Sequence, residues 1–387
     1  MRKRFFALCL ALALAGGLWS PAAAAADLEV TAPSAILMDA ATGQILYEKN
    51  SHERMRPASV TKIMTMLLVM EALERGQLSW DQTISVSAAA AGKGGSQVYL
   101  EEGEQMSLDE MLKSVAVSSA NDCATALAEA VAGSESVFVE QMNQRAAELG
   151  MKDTHFVNCT GLDDEPEADE HLTTAYDIAL MSRELLKHDE IRRYTTIWMD
   201  TVRGGQFGLS NTNKLIRFYD GATGLKTGYT SAAGHCLSAS AEREGMELIA
   251  VVLHCDSSSN RFSDARTLLD YGFATYALVT PEAPEAITPV EIRLGERSTI
   301  QPVLDTAEPM LVEKSQRSNI TTEMELEEQV DAPVEKGQKL GTLTIKAGDQ
   351  VLSTVPIVSP ERVEKLTWMQ LTGRILRSMC MAAPAVG

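Results

Sequence analysis

The chain has 387 residues, 45% of them hydrophobic, with 53 Asp+Glu against 34 Lys+Arg. That is long and apolar enough to bury a sizeable core, and long enough for two domains. The net charge of −19 excludes nucleic-acid binding through a broad basic surface.

The first stretch, "MRKRFFALCLALALAGGLWSPAAAAADLEV", has Arg2, Lys3 and Arg4, then an apolar run over 5–19, then small residues from Ala22 to Ala26. This pattern predicts a secretory signal peptide over 1–26, too short for a stable membrane span, with cleavage after Ala26. The protein is therefore expected to be exported. The leader carries three basic and no acidic residues, so the mature charge is 31 − 53 = −22. Beyond Cys9 there remain Cys123, Cys159, Cys236, Cys255 and Cys380, an odd, widely spaced set without C-x-x-C. No essential disulfide is expected from it.

"SAILMDAATGQILYEKN" (34–50) reads as a hairpin around Ala-Thr-Gly. "PASVTKIMTMLLVMEALERG" (57–76) follows as a helix, with Pro57 suited to its first turn. Met64, Leu67, Leu68, Glu71 and Ala72 predict one buried face, and Ser59 and Lys62, three apart, share a side. Residues 80–190 are mostly helical in pattern, including a Ser107-x-x-Glu110 capping box and the amphipathic "TTAYDIALMSRELLKH". Residues 224–255 predict strands separated by the turn "EREG", and "SDARTLLDYGFATYAL" predicts a closing helix. Proline punctuation over 280–289 breaks the pattern. After it, "EIRL", "TIQPVL", "KLGTLTIKAG" and "QVLSTVPIV" predict a small all-β domain.

The last segment, "VEKLTWMQLTGRILRSMCM" (363–381), puts Trp368, Leu371, Ile375, Leu376 and Met379 on one helical face. Gln370, Arg374 and Arg377 lie opposite, and no acidic residue follows Glu364. It is too interrupted to span a bilayer. An interfacial helix on anionic lipid is expected, against the simpler reading of a terminal helix packed on the β domain. The expected division is therefore signal peptide 1–26, catalytic domain 27–279, β-rich domain 281–362 and anchor segment 363–387.

Three motifs occur in order: Ser59-Val60-Thr61-Lys62, Ser119-Ala120-Asn121 and Lys226-Thr227-Gly228. The first and last are unique in the chain. Ser258-Ser259-Asn260 also fits S-x-N, but only 119–121 lies between the other two, at a junction of helices. A serine hydroxyl is a weak nucleophile until a base takes its proton. Lysine serves as that base only when neutral, which needs its pKa lowered from ~10.4 to near 7, roughly 4 kcal/mol. Burial and a second cation produce such shifts, and Lys226 is the candidate cation. Ser119 can relay a proton to a leaving amine, while Asn121 can orient Lys62 and hold a substrate amide. The N–H groups of Ser59 and Tyr229 can form an oxyanion hole. Lys226 and Thr227 present a positive charge and a hydroxyl to a carboxylate.

With these flanks the chain resembles the low-molecular-mass penicillin-binding proteins, the serine-type D-alanyl-D-alanine carboxypeptidases. The resemblance covers most of residues 30–365 and includes "ASVTKIMT", "AVSSANDCATALAE", "HFVNCTGLDDE", "NTNKLI", "GLKTGYTSAAGHCLSASA" and "NRFSDARTLLDYGF". It implies an α+β fold: a β-lactamase-like catalytic domain of antiparallel sheet and helices with a helical subdomain, then a small all-β domain. It also implies an acyl-enzyme on Ser59, peptidoglycan stem peptide as substrate, β-lactams as inhibitors, and no cofactor or metal. Gly228 and Tyr229 complete the K-T-G strand. Arg261, in the R-F motif, is implied to help bind the substrate's terminal carboxylate. Some members carry histidine where Tyr229 stands, which affects contacts of that side chain but not of its N–H. Attachment to the outer face of the cytoplasmic membrane through the C-terminal helix is implied as well.

Other chemistries fit less well. His52, His155, His171, His188, His235 and His254 are present, but no G-x-S-x-G elbow accompanies them. No H-E-x-x-H or paired Cys/His spacing indicates zinc, and "DDEPEADE" (163–170) lacks the EF-hand pattern. A class A β-lactamase shares the three motifs but needs a deacylating glutamate, for which no E-x-x-L-N-like segment exists. A non-catalytic β-lactam sensor or wall-binding protein on the same fold would have no need of the complete set.

Overall fold

The structure is a computed structural model that describes residues 28–164, 166–281, 287–306 and 308–381. The expected signal peptide lies outside the described residues. The hairpin forms as strands β1 (Ser34–Asp39) and β2 (Ile45–Lys49). The later strands are β3 (Ala222–Thr230), β4 (Gly234–Arg243) and β5 (Met246–Cys255). All five make one antiparallel sheet in the order β2-β1-β5-β4-β3, so the two ends of this region meet in one sheet. Every residue of β1 is buried, because both faces of the sheet are covered. Ile36 and Met38 face one apolar core; Ala35 and Leu37 face the other.

Helix α1 (Lys62–Glu74) departs from the expected one-sided burial. Ile63 to Met70 are all buried, since α1 is enclosed by other helices and touches β3. A helix apolar on every side belongs in a core, and the polar stripe assigned to it is limited to its C-terminal end. Around it pack α2 (Leu108–Ser118), α3 (Asn121–Ala132), α4 (Glu135–Glu148) and α5 (Ala175–Leu186). Ser107 caps α2 by accepting from the Glu110 N–H at 3.2 Å. The Glu110 carboxylate instead accepts from the Arg203 N–H at 2.9 Å, so it ties a distant hairpin to α2.

The closing helix, α6 (Ser258–Thr275), starts earlier than expected and is capped by Ser257. It covers the second face of the sheet. Tyr276–Leu278, read as its end, instead belongs to a strand, Tyr276–Val279, paired with Met310–Glu313. The β-rich unit beyond contains the expected segments and also Ile320–Leu326, whose charged "ITTEMEL" hid its strand character. The C-terminal helix spans Trp368–Met381. Arg374 donates to the Glu296 carbonyl at 2.6 Å and Gln370 to the Glu296 carboxylate, so its polar face meets the β unit. Trp368 and Met369 are 83% and 85% exposed. No helix among the described residues is long and apolar enough to cross a membrane. Cys123, Cys159, Cys236 and Cys255 are buried free thiols.

Candidate active site

A 3-10 turn, Ala58–Thr61, leads into α1 and carries Ser59. Ser59 lies in the first turn, where backbone N–H groups have no helical acceptor. Ala58 has φ +48°, a left-handed conformation that costs a residue with a Cβ about 1–2 kcal/mol. Two glycines hold the turn from outside. A Cβ on Gly161, itself at φ +80°, would overlap the Ala58 carbonyl. One on Gly228 would lie 2.6 Å from Pro57 O and 3.1 Å from Ser59 N. The K-T-G strand therefore sits directly against the nucleophile's backbone, and only glycine permits it. That strand, β3, is a sheet edge, so one row of its backbone groups faces the cleft.

The remaining support comes from His171. Its Nδ1 accepts from the Val157 N–H at 3.2 Å, so in the neutral ring Nε2 carries the proton and faces Thr61 Oγ1 at 2.8 Å. Thr61 Oγ1 then donates to the strained Ala58 carbonyl at 2.9 Å. Burial lowers the His171 pKa to about 3, with His155 and Lys62 adding to the effect. This histidine is a satisfied core residue that braces the turn.

Lys62 is fully buried and donates to Ser59 Oγ at 2.9 Å and to the Thr160 carbonyl at 2.7 Å. Asn158 Oδ1 accepts from the N–H groups of Thr160 and Gly161, which fixes that carbonyl. Burial lowers the Lys62 pKa to about 7, while Cys159 and Asp122 act in the opposite direction. Desolvation is thus the main cause, where a neighbouring cation had been expected to share it. The repulsion is felt at Lys226, which is pushed well below its ordinary range by burial, then by Lys62 and Arg261.

Ser119 caps the end of α2 at φ +67°, and Asn121 opens α3. This sharp junction turns both residues into the interior, where they are 4% and 1% exposed. Asn121 Nδ2 donates to the Gly94 carbonyl at 2.7 Å, and among the described residues the hydrogen bonds of Lys62 go to Ser59 and Thr160 instead. Its Oδ1 is buried with no hydrogen-bond partner among the described residues. An unsatisfied buried acceptor of this kind is suited to receive a ligand N–H.

On the opposite wall, Lys226 Nζ donates to the Thr227 carbonyl at 2.9 Å, and Thr227 Oγ1 donates to Thr212 Oγ1 at 2.7 Å. Arg261, in the first turns of α6, is buried. Its Nη1 donates to the carbonyls of Gly228 at 2.9 Å and Cys236 at 3.3 Å. No carboxylate pairs with it among the described residues, and its Nε is unsatisfied. Tyr229 is exposed and stacks on His235 with centroids 4.4 Å apart. Lys62 bonds Ser59, Gly228 lies against the Ser59 N, Arg261 donates to the Gly228 carbonyl, and Lys226, Thr227 and Tyr229 share that strand. On the α2–α3 side, the Val117 carbonyl accepts from the N–H of Thr212, the partner of Thr227. Thr160, Thr212 and Gly161 were not singled out from sequence, and His171 was weighed only as one of six histidines. The segments "HFVNCTGLDDE" and "NTNKLI" contain three of them.

Residues 21–257 match the family model described as D-alanyl-D-alanine carboxypeptidase, and 281–365 match the C-terminal domain of penicillin-binding protein 5. The chain is 41% identical over 357 residues to the D-alanyl-D-alanine carboxypeptidase DacF of Bacillus subtilis, covering 90% of each. Among solved structures, penicillin-binding protein 5 of Haemophilus influenzae aligns with TM-score 0.74 at 28% identity, covering 87% of this chain and 98% of that one. Penicillin-binding protein D2 of Listeria monocytogenes, in an ampicillin-bound form, aligns at 32% identity and TM-score 0.58, covering 64% of this chain and 99% of its own.

Proposed function

The chain belongs to the D-alanyl-D-alanine carboxypeptidase family of serine hydrolases, and from that premise we propose that it is an exported enzyme removing the terminal D-alanine of peptidoglycan pentapeptides. The observation that carries this reading is Lys62 Nζ, buried and 2.9 Å from Ser59 Oγ beside the K-T-G strand. Neutral Lys62 takes the Ser59 proton as Oγ attacks the penultimate D-alanine carbonyl. The N–H groups of Ser59 and Tyr229 receive the developing oxyanion. Ser119 passes a proton to the departing D-alanine nitrogen, and Asn121 Oδ1 accepts from the substrate amide. Water then hydrolyses the acyl ester on Ser59. Penicillin enters the same path and acylates Ser59. The catalytic domain is taken as residues 27–279 and the separate β-rich domain as 281–362. Release of free D-alanine from a pentapeptide, with no comparable turnover of penicillin, tests the reading and separates it from a β-lactamase or a sensor.

Lys226, Thr227 and Arg261 read the substrate's free carboxylate. An anion there would offset the mutual repulsion of the cluster and favour the charged form of Lys226. Arg261→Ala is expected to lower D-alanine release by about 10- to 100-fold, the scale of a hydrogen bond to a charged group. An amidated analogue should lose less, and equal loss on both substrates would count against carboxylate recognition.

The C-terminal helix serves as a peripheral anchor on the outer face of the cytoplasmic membrane. Its exposed Trp368, Met369, Ile375 and Leu376 suit an acyl boundary, and the exposed Arg377 suits anionic headgroups. Ending the chain after Thr367 leaves the buried Val363 and the Leu366 N–H bond to Leu294 in place. That shortened protein should keep full activity yet no longer sediment with anionic vesicles. Failure of the full-length mature protein to bind such vesicles at low salt would remove the anchor role.

A further inference from the structure

Helix α4 begins at Glu135, and the carboxylate of that residue joins two loops. Its Oε2 lies 2.7 Å from Lys93 Nζ. Its Oε1 accepts from the Cys159 N–H at 3.2 Å and from the Cys159 thiol at 3.1 Å. Burial and then Glu135 raise the Cys159 pKa far above its ordinary value, so the sulfur keeps its proton and donates. Burial pushes the Glu135 carboxyl up, but the hydrogen bonds from Lys93 and Cys159 outweigh it and hold the group below its ordinary value. The side chains of Glu135 and Lys93 are 21% and 16% exposed, so salt and water screen this pair less than a surface one.

Each loop carries a backbone carbonyl that holds one residue of the site. On the first, Lys93 precedes Gly94, whose carbonyl accepts from Asn121 Nδ2 at 2.7 Å. Two residues on, the Ser96 carbonyl accepts from the Asn121 N–H at 2.7 Å. A Cβ on Gly95, at φ +73°, would lie 2.7 Å from Asn121 Nδ2 and 3.1 Å from Leu162, so this loop sits directly against Asn121. On the second, Cys159 precedes Thr160, whose carbonyl accepts from Lys62 Nζ at 2.7 Å. Thr65 Oγ1, one turn along α1 from Lys62, donates to the Cys159 carbonyl at 2.6 Å. A glutamate in the first turn of a helix has a simpler use, since it offsets the helix dipole. That use asks only for negative charge near the helix end. It does not require one oxygen on Lys93 and the other on Cys159.

We propose that Glu135 is a positioning residue that ties the two loops together, so that the proton acceptor Lys62 and the amide acceptor Asn121 keep a fixed separation. The proposal rests on the acyl-serine reading above. Both groups act on the same bound molecule, and a misplacement of about 1 Å costs about 100-fold in rate. The two arms are separable. Glu135→Gln keeps one oxygen but sets an amide N–H₂ in place of the other. The Cys159 N–H is fixed in the backbone while Lys93 ends a flexible stem, so the oxygen stays with Cys159 and the Lys93 arm is lost. Glu135→Gln therefore loosens the loop on Asn121 and leaves Lys62 held. Glu135→Ala releases both.

The test follows acylation of Ser59 by a labelled penicillin over a range of concentrations in the mature protein. D-Alanine release from a diacetylated tripeptide ending in D-Ala-D-Ala is measured alongside. Ser134→Ala is the control: Ser134 caps the same helix by accepting from the Val137 N–H, so its loss weakens the helix end with the Glu135 carboxylate still in place. Glu135→Gln should raise the half-saturating concentration about 10-fold, with the limiting rate within about twofold of wild type. Glu135→Ala should in addition lower the limiting rate by ~10- to 100-fold. Ser134→Ala should match the wild type in both constants. A Glu135→Ala protein with unchanged constants would overturn the proposal. So would equal losses of limiting rate in the Gln and Ala variants, or a Ser134→Ala loss as large as that of Glu135→Ala. If Glu135→Ala does not fold, Glu135→Gln decides alone, and an unchanged half-saturating concentration there would overturn the proposal. A wild type that penicillin acylates at Ser59 but that releases no D-alanine would overturn the carboxypeptidase reading, with the role of Glu135 still read from acylation.

Discussion

Ser59→Ala is expected to abolish both D-alanine release and covalent labelling by penicillin. Ser59 Oγ is the hydroxyl within hydrogen-bond reach of the buried lysine, at the start of a helix and against the K-T-G strand. Removing a serine nucleophile from such a unit costs on the order of 10⁶-fold in turnover, because the rest of the machinery has nothing left to activate. The substitution removes one atom and leaves the Ala58 turn, Gly161 and Gly228 as they are. The variant should therefore fold and still bind the substrate noncovalently. Intact-mass measurement after penicillin treatment, followed by peptide mapping, checks it. An adduct on any other residue would reject the assignment.

Lys62→Arg should be almost as damaging, although it keeps the charge. Burial brings Lys62 to about 7, so near neutral pH a large fraction of it can accept a proton. A guanidinium does not release its proton in this range and cannot act as the base. Acylation is expected to fall by at least ~100-fold. In the wild type the free-enzyme rate should rise with pH through a midpoint near 7, as Lys62 loses its proton. That limb should vanish in the variant. Near-normal acylation of Lys62→Arg at neutral pH would overturn the role of the lysine as base.

What could be read in the residues alone followed from how much of the chemistry side chains carry. Ser59, Lys62, Ser119, Asn121, Lys226 and Thr227 carry side chains whose types suit the roles proposed for them, so spacing and order were informative. Thr160 contributes a carbonyl, which every residue has, and so leaves no trace in composition. Gly161 matters because Ala58, distant in sequence, folds against it. His171 works through Thr61, an unremarkable position within the first motif. The error at α1 has a similar origin: Glu71 completed a helical pattern, yet enclosure by four helices and a strand is a property of the packed whole. The β-rich unit was legible where Gly and Asp turns bounded apolar runs, and hidden at Ile320–Leu326, where charged residues face solvent.

The buried lysine also bears on how firmly the protein holds together. Unfolded, Lys62 keeps its proton up to about 10.5; folded, it gives that proton up near 7. Between these limits the unfolded chain binds more protons, so unfolding free energy rises with pH across the window, and below 7 the full penalty is present. Its size is on the order of 5 kcal/mol, comparable with the whole margin by which ordinary domains stay folded. Lys62, the base proposed for Ser59, is thus a weak point in the thermodynamics of the core. Methionine at position 62 would fill the same space without the charge, giving a protein that melts at a higher temperature and catalyses nothing.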